Sequence, residues 1–370
     1  MKKILLVTTA FTGSGHKSIS DALEEQFAEI PGVEVKTIEG FDMAGWIRVP
    51  GMRLYSFMTR RIPKVYDALW NFTNAHSPGE GWVGFLCRRR FLECVRAYQP
   101  DLVLTVHSVF NEAATWILKK GGLDIPVVVL QADQVDIHRT WCNPDARMTI
   151  CHTQEAYDTS RKFGIPPERL VRLGFPVRRR FTDLARRGEV RENRLPGPLR
   201  CLLMSGGEGA GNLKAYAEAV LGHTDAELTV ICGRNRKMLE RLKADVAVKY
   251  GKRMRVLGYV EEIEQEMLRS DLILARSSPN TLMEAVMLEL PVMMIGTDLA
   301  QERGNTRLME KNGLGVSCPS AADIPQMISG LIAGDGKRLR EIRAAQRAFR
   351  RLDDARDVAV FVASLIPDHE

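Results

Sequence analysis

Apolar runs alternate with amphipathic stretches through this chain, twice over, and that alternation constrains its fold more than any other feature. "KILLVTT" (3–9) has the character of a buried strand. Behind it Ile19, Ala22, Leu23, Phe27 and Ile30 recur at helical spacing. "VEVKTI", "DLVLTV" (101–106), "PVVVLQ" (126–131) and "RMTIC" (147–151) repeat the strand character, with helical stretches between most of them. Strand and helix in turn imply a mainly parallel sheet with crossover helices. The pattern breaks in a charged stretch that ends in Pro196-Gly197-Pro198, and 179–199 reads as a linker. It then restarts with "CLLMS", "AELTVIC", "RMRVLGY", "DLILAR" and "PVMMIG", with helices expected over 235–249 and 279–289. The class is α/β, with two doubly wound domains, 1–178 and 200–334. Residues 335–370 follow as one or two amphipathic helices. Such sheets bind ligands beyond the carboxyl ends of their strands, and two facing domains would make a cleft.

Length agrees, since 370 residues make two domains at roughly 100–200 residues each. No apolar stretch approaches the roughly 20 residues of a membrane-spanning helix. MKKILLVTTA opens like a signal peptide, but its apolar run is short and is followed by glycines and a histidine, so it reads as a first buried strand. Seven cysteines without a C-x-x-C pair argue against a disulfide framework or a zinc site and suit a reducing cytoplasm. Cys201 and Cys232 lie on expected strands, as small buried hydrophobes. The net charge of +6 has one address. Residues 46–98 carry nine Lys and Arg against three Asp and Glu, so the whole surplus lies there, interleaved with Trp46, Tyr55, Phe57, Trp70, Phe72 and Trp82. Aromatic and basic residues mixed in this way suit an anionic membrane interface; a packed helical hairpin with a solvated face is the plainer alternative. No recognised nucleic-acid module accompanies the charge, so nucleic acid is not an expected partner.

Polar groups collect at the strand ends. "TTAFTGSGHKSISDAL" follows the first strand, where Gly15 and its neighbours leave room for another molecule. His16 there is either a capping, hydrogen-bonded histidine or a neutral imidazole base suited to pH 7. "ADQVDIHRTW" (132–141) puts Asp133 and His138 behind another strand. In the second half "MSGGEGAGNL" (204–213) offers Gly206, Gly207 and Glu208 ahead of a helix, either as a plain turn or as a backbone nest for phosphate. "ARSSPNTLMEA" (275–285) repeats that geometry with Ser278, Asn280 and Thr281, while Glu284 one turn later suits ribose hydroxyls better than phosphate. "TDLAQERGNT" (297–306) crowds Gln301, Glu302 and Asn305 into one loop, a density suited to a sugar or simply to solvent. There is no D-x-D, no convincing metal-ligand spacing and no G-x-S-x-G. No metal or cofactor is therefore expected.

These motifs, in this order, resemble monogalactosyldiacylglycerol synthases and processive diacylglycerol glucosyltransferases. "TGSGHKSISDAL" is similar to their G-G-G-H-x-A-S, and "ADQVDIHRTW" to T-D-F-x-x-H-x-x-W. "MSGGEGAGNL" resembles M-G-G-G-E-G-M-G, and "ICGRNRKMLERL", with Gly233 and Arg234, resembles C-G-R-N-x-x-L. "SSPNTLMEA" stands for G-P-G-T-I-A-E-A and "LAQERGNT" for P-G-Q-E-x-G-N. The resemblance implies a GT-B fold: two Rossmann-like doubly wound domains facing a central cleft, with the last helices returning to the first domain. It implies a lipid acceptor in the first domain and a UDP-sugar in the second. His16 takes the family's base position, with Asp133 beside it in the catalytic group. Glu284 meets ribose, Gln301 and Glu302 meet the hexose, and the backbone of Tyr259 and Val260 meets uracil. Trp46, Arg60, Arg61, Trp70 and His138 fall in the acceptor and membrane region. The expected activity is inverting, metal-independent transfer of a hexose from UDP-hexose to diacylglycerol, by a cytoplasmic protein attached to the inner face of a membrane. Ser278-Pro279-Asn280-Thr281 departs from G-P-G-T, exchanging backbone room for side-chain donors. The alternatives are a lipid I-type N-acetylglucosaminyltransferase, a UDP-sugar 2-epimerase and a nucleotide-sugar-binding regulator.

Overall fold

The computed structural model describes residues 1–9, 14–47, 62–75, 81–189, 197–204, 212–296 and 300–367. The chain forms two compact units. The first takes in Met1–Arg178, Leu299–Gln301 and Asp353–Glu370; the second takes in Arg179–Asp298 and Glu302–Leu352.

The first unit is built on β1 (Lys2–Thr8), β2 (Val33–Glu39), β3 (Leu102–Thr105), β4 (Val127–Leu130), β5 (Met148–Cys151) and β6 (Leu170–Arg172). They form one parallel sheet in the order β2-β1-β3-β4-β5-β6. Ile4 to Val7 are wholly buried, as a strand covered on both faces requires. The helices are α1 (Ser14–Phe27), α2 (Pro63–Ala75), α3 (Gly81–Tyr98), α4 (Ser108–Lys120) and α5 (Gln154–Lys162). Phe91 and Val95 of α3 pack with Phe110 and Ile117 of α4 against Leu5, Val7 and Val103 of the sheet. The basic segment contains two helices, α2 and α3, of which α3 is joined to the core along one side.

The second unit contains α6 (Arg179–Arg186), β7 (Arg200–Met204), α7 (Leu213–His223), β8 (Glu227–Ile231), α8 (Arg236–Leu242), β9 (Met254–Leu257), α9 (Ile263–Leu268), β10 (Leu272–Ala275), α10 (Pro279–Met287), β11 (Val292–Ile295), α11 (Arg303–Lys311), β12 (Gly315–Cys318) and α12 (Ile324–Phe349). Its sheet is again parallel, in the order β12-β11-β10-β7-β8-β9. A last helix, α13 (Asp354–Ser364), packs on α1 in the first unit, where Lys2 Nζ donates to the Ala363 carbonyl at 3.2 Å. Both sheets have the layered, doubly wound form of a Rossmann-like domain.

Three features go beyond the sequence reading. β6 and β12 escape it because three and four residues are too few to show a period. Residues 179–186, expected as linker, form α6 and belong to the second unit. Phe181, Leu184 and Ala185 fall on one face and are buried, and Arg186 Nη2 donates to the Leu352 carbonyl at 2.9 Å. The C-terminal stretch divides. Positive φ at Gly334, Asp335 and Gly336 interrupts α12, which stays with α7 and α10, and only the part from Asp353 joins the first unit.

Gly315 has a packing reason. A Cβ built on it would lie 2.6 Å from the Val292 carbonyl oxygen, a backbone atom of the neighbouring strand that cannot turn away. Gly315→Ala is expected to lower stability by about 1–3 kcal/mol, measured by urea unfolding. An unchanged midpoint would show that β12 is free to shift.

Candidate active site

In the first sheet β1 lies between β2 and β3, so the chain leaves it first to one side and then to the other. The carboxyl ends of β1 and β3, at such a reversal, are the place where sheets of this kind bind ligands. His16 comes from the β1 side, in the first turn of α1. Its Nδ1 lies 2.7 Å from the Val106 carbonyl oxygen, one residue past β3. A carbonyl only accepts, so Nδ1 carries the proton and the Nε2 lone pair is left over. The ring is half-buried, and burial lowers its pKa to about 4 against the opposing effect of the Val106 bond. The imidazole is thus neutral across the physiological range. His107 packs against it at 4.6 Å between ring centroids and Trp141 at 6.2 Å. His107 is itself fixed, its Nδ1 accepting from the Val109 N–H at 3.3 Å at the start of α4. The 106–109 turn therefore orients both rings.

Asp133 gives Oδ2 to the indole Nε1–H of Trp141 at 2.6 Å. Trp141 in turn packs on His16, while a backbone carbonyl bonds His16 directly. His138 is buried, and its Nδ1 accepts from the Thr140 N–H at 3.2 Å. Its proton is therefore on Nε2, which lies 3.1 Å from the Trp70 carbonyl, the reverse of the His16 tautomer. Burial, the largest cause, lowers the His138 pKa. Arg139 adds bonds to Asn74 through its backbone N–H at 2.8 Å and its Nε at 3.0 Å. His138 and Arg139 thus clamp the end of α2, and Trp70 of that helix packs on His138 at 5.0 Å. Four apolar residues of this region keep solvent exposure: Ile62, Val65, Leu69 and Phe72 are 37, 52, 43 and 63% exposed. Steps of three, four and three residues align them as one apolar stripe on α2 and its leading residue. Gly15 directly precedes His16 in α1. The side chain of Trp46, and Arg60 and Arg61 altogether, lie outside the described residues.

In the second sheet the reversal falls between β7 and β10. The glycine turn after β7, with Gly206, Gly207 and Glu208, lies outside the described residues. The turn after β10 is described. Ser278 makes no side-chain cap to α10; its hydroxyl donates to Thr281 Oγ1 at 3.1 Å, with Asn280 between them half-buried. Glu284 is buried one turn further on. Asn305 is fully buried, its Nδ2 donating to the Ser277 carbonyl at 2.9 Å, while its Oδ1 has no partner among the described residues. Ser277 Oγ and Thr306 Oγ1 are 2.7 Å apart. Glu302 pairs with Arg276, whose Nη2 is 2.5 Å from Oε2. Gln301 falls in the first unit, its Oε1 accepting from the Tyr66 hydroxyl at 3.2 Å. Beyond β8, Gly233 uses a positive φ of 55° that a side chain would resist. Arg234 stacks 4.7 Å over the exposed ring of Tyr259, and Val260 follows half-buried.

Sequence reasoning did not single out Arg276, Trp141 or Val106. A lone arginine closing an apolar strand was a signal for the first. Trp141 stood inside a quoted motif. Val106 acts through its carbonyl, which every residue has. Among the described residues no group of three or more His, Cys, Asp and Glu gathers to hold a metal ion, and no helix is long and apolar enough to cross a membrane.

Comparison with known proteins matches residues 16–177 to the family described as monogalactosyldiacylglycerol (MGDG) synthase. Residues 201–322 match the glycosyltransferase family 28 C-terminal domain. Monogalactosyldiacylglycerol synthase, chloroplastic, of Spinacia oleracea is 27% identical over 88% of this chain and 66% of its own length. A probable monogalactosyldiacylglycerol synthase, chloroplastic, of Glycine max is 27% identical over 97% of this chain and 70% of its own. The chain thus spans about two thirds of the length of these relatives. Among solved structures, MurG of Acinetobacter baumannii superposes with a TM-score of 0.63 over 98% of this chain and 100% of its own, at 14% identity. At that identity the likeness shows the GT-B fold alone.

Proposed function

Because this chain belongs to the monogalactosyldiacylglycerol synthase family of GT-B glycosyltransferases, we propose that it moves a hexose from a UDP-sugar to the hydroxyl of a diacylglycerol-type lipid, with inversion and without a metal ion or other cofactor. The observation that carries the reading is His16: a neutral imidazole at the first sheet's reversal, with Nδ1 committed to Val106 and Nε2 open to accept. The lipid hydroxyl loses its proton to Nε2 as its oxygen attacks the anomeric carbon from the face opposite UDP. The C–O bond to the diphosphate breaks, and UDP leaves with the electron pair. One displacement inverts the centre. Trp141, held by Asp133, and His107 keep the imidazole ring in place.

The second unit takes the donor. Glu284 meets the ribose hydroxyls, the backbone of Tyr259 and Val260 meets uracil, and Arg234 with Gly233 borders that end. The start of α10, with Ser278, Asn280 and Thr281, meets the diphosphate, and Gly206, Gly207 and Glu208 are counted with the donor-binding residues. Helix-terminal N–H groups and hydroxyls then take the place of a cation. Gln301, Glu302 and Asn305 meet the hexose, the orphan Oδ1 of Asn305 being an acceptor in need of a donor. Incubation with a panel of UDP-sugars and diacylglycerol, read by mass spectrometry, tests the reading. A glycosyl-diacylglycerol and free UDP are expected. UDP-sugar turnover that needs no lipid would point to an epimerase instead.

The apolar stripe of α2 suits the lipid. Ile62, Val65, Leu69 and Phe72 enter the interface of an anionic membrane, with the basic residues of 46–98 facing its headgroups and the protein held peripherally on the inner, cytoplasmic face. Each large side chain withdrawn from water contributes about 1.5–3 kcal/mol. Leu69→Ser/Phe72→Ser is therefore expected to lower partitioning onto vesicles containing anionic lipid by at least about 100-fold, read by co-sedimentation. Because both side chains already face solvent, the fold is expected to hold. Unchanged partitioning would remove the stripe from the membrane contact.

A further inference from the structure

Arg276 places a cation where apolar β10 gives way to the polar turn behind it, beside the reversal of the second sheet. Its Nη2 donates to Oε2 of Glu302 at 2.5 Å, and Glu302 directly precedes α11. Both side chains are largely covered, at 33% and 12% exposure. The bond runs through one nitrogen and one oxygen, so it aims the carboxylate and leaves further lone pairs and N–H groups for a ligand. It is not needed to tie the two turns together. Asn305 already bonds the Ser277 carbonyl, and the hydroxyls of Ser277 and Thr306 are already paired.

We propose that Arg276 is a positioning residue for the sugar of the donor: it holds the Glu302 carboxylate in one orientation, and the pair together reads neighbouring hydroxyls of the hexose of a nucleoside diphosphate sugar. The inference rests on the reading of Glu302 as a hexose-binding residue. A hydroxyl can donate to the carboxylate and accept from the guanidinium at once. A pair fixed in orientation accepts one epimer at such a carbon and leaves covered polar groups unmatched with the other, and that is the strongest basis for discrimination a site can have. A freely turning carboxylate would follow either epimer.

The test compares UDP with UDP-glucose and UDP-galactose by titration calorimetry on the full chain. Arg276→Gln, Arg276→Lys, Glu302→Gln and the double variant are measured beside the parent. UDP affinity is expected to stay within about twofold in all of them, since UDP lacks the group being read. Hydrogen bonds to charged groups are worth about 1.5–3 kcal/mol, so Arg276→Gln should erase a tenfold or greater advantage of the preferred UDP-hexose over UDP. Arg276→Lys should recover most of it, because one nitrogen makes the contact and a lysine can supply one. In the Glu302→Gln background Arg276→Gln should cost clearly less than in the parent, because the carboxylate it aims is already gone and only its own bond to the hydroxyl is lost, while UDP affinity, which a merely structural role would also lower, stays unchanged. An undiminished UDP-hexose preference in Arg276→Gln, or losses that simply add in the double variant, overturns the inference while leaving the donor site standing. A parent protein that binds neither UDP nor UDP-hexose overturns the donor reading, and this inference with it.

Discussion

Replacing His16 with alanine is expected to cut kcat by about 10²–10⁴-fold, the ordinary worth of a positioned general base, while donor affinity stays close to the parent value. The fold should survive. The ring is half-buried, its Nδ1 makes a single bond, and its neighbours His107 and Trp141 have hydrogen bonds of their own. A thermal unfolding midpoint near that of the parent would establish that the loss is chemical. The pH profile adds a second check. With the pKa lowered to about 4, His16 is in its base form above about pH 5, and that form is lost only as pH falls through 4. The transfer rate should therefore stay flat between pH 5 and 8. A histidine at its ordinary value would instead halve the rate near pH 6.5. Turnover by His16→Ala at the parent rate removes His16 from the mechanism.

The largest effect on stability is expected far from the chemistry, at Glu289. This residue follows α10, is 3% exposed and adopts a positive φ of 53°. Its carboxylate takes two bonds from Arg347, at 2.9 and 2.7 Å, and lies 2.8 Å from Arg350. Arg350 is 12% exposed, and buried Arg343 feels the same negative charge. Glu289→Ala leaves Arg350 covered without its carboxylate and takes from Arg343 one of the two acids that act on it. Breaking a buried pair by removing one partner costs about 3–5 kcal/mol; Arg347 is 66% exposed and can turn to water, so about 2–4 kcal/mol is the expected loss. Urea unfolding of the variant measures it. Arg347→Ala, which removes the exposed partner, should cost under about 1 kcal/mol. Equal effects from the two changes would mean that the network acts as a surface pair.

Much of the site was legible because strand ends can be read before their neighbours are known. Ser277 and Ser278 follow an apolar run that closes at Ala275 and lead into Pro279, which locates a strand end and a helix start together. His16 behind "KILLVTT" is legible in the same way. His138 was less so. Its motif position marked it for the acceptor, but which side chains bond Thr140 and Trp70 depends on how α2 folds over the 139–141 turn. The apolar residues of 62–72 were visible as hydrophobic; how much of each stays exposed is decided by what packs elsewhere.

By itself the sequence determined most of the strands and helices in their order, β6, β12 and α6 excepted, and the polar residues at the strand ends, because period, turn chemistry and apolar content are local properties of the chain. Tertiary structure decided which of those ends meet. The sheet orders bring β1 beside β3 and β7 beside β10, and only then does His16 find a carbonyl 90 residues away and Arg276 a carboxylate 26 residues away. Hydrogen bonds act over about 3 Å, and every residue carries the same backbone oxygen. The group that fixes the tautomer of His16 therefore leaves no mark in the order of side chains and exists only once the sheet has formed.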